Sequence, residues 1–167
     1  MTTLICSHGM ESGPGATKIS ALATLAERRG ITALKPDYRD LPHWRPRLER
    51  LAALISAHSE AGPVLLLGSS IGAYISAFAS LAHPLAGLFL LAPPIQAEPE
   101  LPALDLCCAN TWIVHGWHDE LISPAQVVEF AQRHDARLLL ISANHRLDGC
   151  VPLLERQFSE FLDLVAA

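Results

Sequence analysis

The sequence has no apolar run approaching the roughly 18 residues that a membrane-spanning helix needs. Its longest runs, such as Val64–Leu67 and Leu88–Ala92, are strand-sized. Charge is scarce as well: 17% of the 167 residues are charged, and the net charge is −5. An acidic chain without a basic stripe is a poor partner for nucleic acid. The four cysteines, Cys6, Cys107, Cys108 and Cys150, form no CxxC pair and no Cys/His ligand cluster. That spacing argues against a zinc site and leaves four reduced thiols. Gly13-Pro14-Gly15 is not a dinucleotide loop, because Lys18 stands where G-x-G-x-x-G requires glycine, and no G-x-x-x-x-G-K-[ST] phosphate loop occurs. No metal or cofactor is called for. No basic segment leads into a signal-peptide core, so the expected location is the cytoplasm.

What the chain does have is apolar material. Half of it is hydrophobic, enough for one packed core, and the expected organisation is a single domain over residues 1–167. Short apolar runs at 3–7, 31–35, 64–68, 85–91, 111–115 and 137–142 read as strands. Between them lie stretches of helical period: Ala16, Ile19, Leu22, Ala23 and Ala26, stopped by Gly30; Leu48, Leu51, Ala52 and Ile55; Ala73, Ala77, Phe78 and Leu81; Val127, Val128 and Ala131; and Val151, Leu154, Phe158, Phe161 and Val165. Ser123-Pro124-x-Gln126 reads as a helix start with a serine cap. A further short helix is expected around 102–108. Apolar strands alternating with helices predict a three-layer α/β/α sandwich on a six-stranded parallel sheet. Ligands of such sheets sit beyond the carboxyl ends of the strands.

Those strand ends carry the unusual residues. Gly68-Ser69-Ser70-Ile71-Gly72 is G-x-S-x-G between a strand and a helix, the context in which the motif has meaning. Only Ser70 has glycine at both −2 and +2, so Ser70 and not Ser69 is the candidate nucleophile. A hydroxyl needs a base to take its proton, and the base needs a carboxylate to fix its tautomer. His115-Gly116-Trp117-His118-Asp119 follows the fifth strand and Asn144-His145 the sixth. Ser70, Asp119 and His145 thus stand in the order serine, acid, histidine, each just past a strand end. His118 is the competing base; it neighbours Asp119, and adjacent loop side chains seldom meet in the required geometry. Asp148, Asp135 and Asp105 are weaker candidates for the acid. Ser7-His8-Gly9-Met10, after the first strand, suits an oxyanion loop, with the main-chain N–H groups of Met10 and Ile71 as donors. His8 reads as a stabiliser of that loop, and His115 as a packing residue at the end of its strand.

Together these residues resemble the α/β-hydrolase superfamily, and in particular small lidless bacterial serine esterases whose first strand runs into a Ser-His-Gly loop. The resemblance covers nearly the whole chain. It implies strand order 2-1-3-4-5-6 and a minimal core without a cap domain, since the connector 92–110 is too short for one. It implies a serine hydrolase that cleaves small carboxylic esters through an acyl-serine intermediate. Thioesterase, amidase and acyltransferase chemistry use the same triad, and a protein-binding module could keep the fold. Dehalogenase chemistry would call for aspartate at position 70. Walls of an open substrate pocket are expected from Met10, Glu11, Tyr38, Trp44, Pro93, Pro94 and Trp117.

Overall fold

The computed structural model describes residues 1–96 and 102–166. Six strands, β1 (Thr3–Ser7), β2 (Thr32–Leu34), β3 (Val64–Ser69), β4 (Gly87–Leu91), β5 (Thr111–Gly116) and β6 (Arg137–Ile141), form one sheet in the order β2-β1-β3-β4-β5-β6. Every neighbouring pair is parallel. Five helices are present among the described residues: α1 (Thr17–Arg28), α2 (Trp44–Ser59), α3 (Ile71–Ala79), α4 (Pro124–Arg133) and α5 (Val151–Val165).

Strand side chains point alternately to the two faces of a sheet, and here both faces are apolar. Ile5, Leu66, Leu88, Leu90 and Ile113 pack with Leu51 and Ile55 of α2, Tyr74 of α3 and Phe130 of α4. Their neighbours Leu4, Cys6, Leu65, Leu67, Phe89, Trp112 and Val114 pack with Leu22 of α1 and Phe158 and Phe161 of α5. Strands buried on both faces read as unbroken apolar runs, which is why the sequence pattern was so plain.

Two local expectations fail. Residues 102–108 are not helical. Leu104 and Leu106 are buried while residues 103, 105 and 107 are exposed, a period of two that belongs to an extended strap. The strap is tied along its length to the fold: Tyr74 Oη donates to the Pro102 carbonyl, the Leu104 N–H to the Ile95 carbonyl and the Cys107 N–H to Ser80 Oγ. Ser123 does precede α4, with Pro124 at its start, but its hydroxyl makes no capping bond.

The functional consequence of this topology lies at β1 and β3. They are neighbours, with Ser7 level with Gly68, yet their following helices leave to opposite faces. The chain therefore diverges here, at the carboxyl edge, where open α/β sheets form crevices.

Candidate active site

Ser70 follows β3 at once and precedes the first residue of α3. Its backbone is in a conformation L-residues rarely adopt, φ 54° and ψ −121°. Such a residue costs on the order of 1–3 kcal/mol and persists only where its surroundings enforce it. The enforcement comes from close packing. A Cβ on Gly68 would lie 2.4 Å from the Gly72 carbonyl oxygen, and one on Gly72 would lie 2.0 Å from that of Ser7. The elbow also donates the Ser70 N–H to the Leu91 carbonyl at 2.9 Å, anchoring it to β4. The turn thus projects the Ser70 side chain from the sheet edge.

Ser70 Oγ lies 3.0 Å from His145 Nε2, and His145 Nδ1 lies 2.7 Å from Asp119 Oδ2. Both loops that supply these groups are extensions of the sheet. The Trp117 and His118 N–H groups donate to the carbonyls of Ile141 and Ala143, so the segments after β5 and β6 stay paired. The Asp119 side chain is fully buried. Its Oδ1 accepts the N–H groups of Leu121 and Ile122, both at 2.8 Å. Three N–H donors, those of Leu121, Ile122 and His145, therefore satisfy a carboxylate withdrawn from water. An imidazole bonded to it through Nδ1–H presents a bare Nε2 to the serine hydroxyl.

His118, the competing base, is turned away: it is exposed and lies 3.3 Å from Ser142 Oγ. Asp148 bonds Asn144 Nδ2 at 3.1 Å, and Asp105 faces His134 at 3.6 Å. Asp135 lies before β6, at the far end of the sheet.

The loop after β1 abuts the elbow, since a Cβ on Gly9 would stand 3.7 Å from that of Ser70. Its orientation is governed by the Gly9 carbonyl. His8 Nε2 accepts the Tyr38 N–H at 3.0 Å, which leaves Nδ1–H to donate to the Gly9 oxygen at 2.7 Å. Ser12 Oγ and Arg47 Nη1 approach the same oxygen at 3.4 and 3.5 Å. Gly9 C=O and Met10 N–H belong to one planar peptide, so donors on the oxygen set the direction of the N–H. Neither the Met10 nor the Ile71 N–H donates to any described residue. Burial holds His8 below the usual histidine range, consistent with a neutral ring locked between two backbone groups.

A cavity of about 750 Å³ opens beside Ser70 and His145, with Met10, Glu11, Lys18 and Leu121 among its walls. Five expected wall residues do not line it. Tyr38 is fully buried, its hydroxyl 3.1 Å from Ser7 Oγ. Trp44 packs against Tyr74 and Phe78, because α2 covers the opposite face of the sheet from α1 and α5. Pro93 and Pro94 are buried, and Trp117 stands outside at 55% exposure. Lys18, Leu121 and the stretch 146–149 are among the walls that sequence reasoning missed. Lys18 belongs to α1, where the apolar period draws attention to the other side of the helix, and it donates to the Arg146 carbonyl. Among the described residues, no three His, Cys, Asp or Glu side chains are grouped as metal ligands, and no helix is long and apolar enough to cross a membrane.

No protein-family model matches the chain, and no curated protein does. Solved structures do. A Xanthomonas campestris pv. campestris protein assigned to the hydrolases of the α/β superfamily is 46% identical, with a TM-score of 0.93, over 96% of this chain and 98% of its own. A serine hydrolase without a lid from Xanthomonas campestris superposes with a TM-score of 0.81 at 19% identity, over 97% of this chain and 81% of its own. Est1E from Butyrivibrio proteoclasticus gives 0.82 at 17% identity, over 99% and 89%. The two distant likenesses concern the fold. The 46% identity across nearly the full length of both chains concerns descent, and by it this chain belongs to the α/β-hydrolase superfamily, as a compact member without a cap domain.

Proposed function

We propose that the protein is a serine hydrolase that cleaves small carboxylic esters. The observation that carries this reading is the continuous chain from Ser70 Oγ through His145 to Asp119, at 3.0 and 2.7 Å, on a strained elbow facing a cavity. His145 Nε2 takes the hydroxyl proton as Ser70 Oγ bonds to the ester carbonyl carbon. The carbonyl electron pair moves onto oxygen, and the N–H groups of Met10 and Ile71 receive that oxyanion. Each such donor contributes roughly 3–4 kcal/mol to the transition state. When the tetrahedral centre collapses, the bond to the alcohol oxygen breaks and His145 returns the proton to the alcohol. Water then repeats the sequence on the acyl-serine, releasing the acid and restoring the hydroxyl. Asp119 stays ionised throughout and stabilises the imidazolium.

A short, water-soluble acyl group suits the site because, without a cap, the open cavity offers little apolar cover for a long chain. The test is hydrolysis of p-nitrophenyl esters of graded acyl length, with a fluorophosphonate probe as a label independent of substrate. Turnover should peak at short chains, and Ser70→Ala should lose both turnover and label. Label on Ser70 without turnover of any ester would move the assignment to a thioester or amide. A folded protein that neither labels nor turns over would refute the serine mechanism and leave a binding module.

A further inference from the structure

His115, at the end of β5, has no part in that mechanism, yet it is fully buried against the triad. Its Nε2 lies 3.1 Å from the Ile122 carbonyl oxygen and 3.4 Å from Asp119 Oδ2. Both neighbours are acceptors, so Nε2 carries the hydrogen; it donates that hydrogen to the Ile122 carbonyl, with the Asp119 carboxylate close beside the bond. Its Nδ1 is buried with no hydrogen-bond partner, the single such side-chain atom among the described residues. An orphaned buried nitrogen is destabilising, and an apolar ring would fill the same space without it. The site nevertheless has a histidine there, with its one N–H donated to the turn that carries Asp119 and lying beside the carboxylate.

We propose that His115 is a positioning residue. Its Nε2–H fastens the Asp119–Ile122 turn by the Ile122 carbonyl and sets the positive end of its dipole 3.4 Å from the Asp119 carboxylate. Through that carboxylate it sets how firmly the His145 imidazolium is held. This rests on Asp119 and His145 working as described above. The two bonds of Ile122 close a clasp: its N–H donates to Asp119 Oδ1 while its carbonyl accepts from His115. A neutral ring is required for the role, because a proton on Nδ1 would be buried without an acceptor. Burial accordingly lowers the His115 pKa from its usual range. The titratable groups facing His115 are Asp119, from the turn after β5, and His145, from the loop after β6. His145 is faced in addition by Glu120, whose Oε2 lies 3.5 Å from its main-chain nitrogen.

Removing the His115 N–H takes the positive end of a dipole away from the Asp119 carboxylate, whose charge then acts more strongly on the His145 imidazolium, while the turn that aims the carboxylate loses its fastening to β5. The experiment follows the ring nitrogens of ¹⁵N-labelled protein by NMR across pH, in wild type, His115→Phe and His115→Gln, with ester kinetics in parallel. In the wild type, His115 should remain the neutral Nε2–H tautomer wherever the protein is folded. The His145 titration midpoint, and the acid limb of kcat/KM with it, should move to higher pH in His115→Phe. It should return toward wild type in His115→Gln, whose amide N–H reaches the same acceptors. Turnover number in His115→Phe should fall on the order of tenfold, because the released turn no longer holds Asp119 in line with His145, with KM changed by less than about twofold. A His115 ring that is charged or protonated on Nδ1 would overturn the proposal. So would equal His145 midpoints in all three proteins. Should His115→Phe fail to fold, His115→Met fills the space with a flexible apolar chain and serves in its place. The NMR readings need no turnover, so a wild type that neither labels nor hydrolyses esters would fail the serine mechanism while the coupling of His115 to His145 is still decided.

Discussion

Asp119→Asn is the substitution whose outcome the geometry determines most tightly. Asn has one oxygen and one NH₂ group, and the site dictates which goes where. Two main-chain N–H groups at 2.8 Å point at the Oδ1 position, so oxygen must stay there. The NH₂ group then takes the Oδ2 place, 2.7 Å from His145 Nδ1. It can only donate, which obliges Nδ1 to accept and moves the ring hydrogen to Nε2. An Nε2–H facing Ser70 cannot take the serine proton, so the base is lost while the shape of the site is kept. The expected loss in kcat is on the order of 10⁴-fold, the scale on which a wrong histidine tautomer acts. That corresponds to about 5.4 kcal/mol at about 1.36 kcal/mol per tenfold. Initial rates on a short-chain p-nitrophenyl ester, with the fluorophosphonate labelling rate beside them, measure it. Asp135→Asn is the control and should leave both rates unchanged, because Asp135 is exposed and lies before β6, at the far end of the sheet. Retention of more than a few per cent of wild-type kcat by a folded Asp119→Asn protein would refute the reasoning.

Gly72→Ala should destabilise the fold by about 3 kcal/mol or more, at or above the upper end of overpacking costs, since the new methyl meets the backbone of Ser7 and His8 rather than a movable side chain; urea unfolding would read it, and an unchanged midpoint would be incompatible with the packing described. Stability should decline as pH falls below the ordinary histidine value of about 6.5. Burial lowers the pKa of both His8 and His115 in the folded protein, so below that value the unfolded chain binds protons that the folded one refuses, and acid favours unfolding. Urea midpoints at pH 7.5 and 5.5 measure the decline, and His115→Gln should flatten it. His118→Gln should keep kcat/KM within about twofold, because surface substitutions remote from special features have small effects and His118 faces Ser142 at the solvent; a large loss would reinstate it as the base.

Most of the fold was legible because its signals are local. The doubly buried strands, the helical stripes and the stop at Gly30 each follow from spacing within a dozen residues. The strap at 102–108 was misread because its prolines and leucines carry no strong period, and its extended form depends on partners in α3 and at Ile95. The pocket walls failed for a related reason. Tyr38 and Trp44 are aromatic and lie near strand or helix ends, but which side of the sheet each covers depends on the crossover that carries it. His115 shows the limit most clearly: in sequence it is one more histidine ending a strand, and its contact with Asp119 arises only when the turn folds back on β5.

The sequence by itself determined the alternation of strands and helices, the glycine-flanked turn at Ser70 and the presence of titratable residues past the fifth and sixth strands, because backbone preference and hydrophobic period act over short stretches of chain. Tertiary structure alone decided that α1, the loop after β6 and Leu121 rather than Trp44 or Trp117 border the cavity, that residues 102–108 run as an extended strap, and that His115 lies against Asp119. The first two outcomes depend on distances between residues tens of positions apart, which only the packing of helices on both faces of the sheet can set, and the third on the turn folding back on β5.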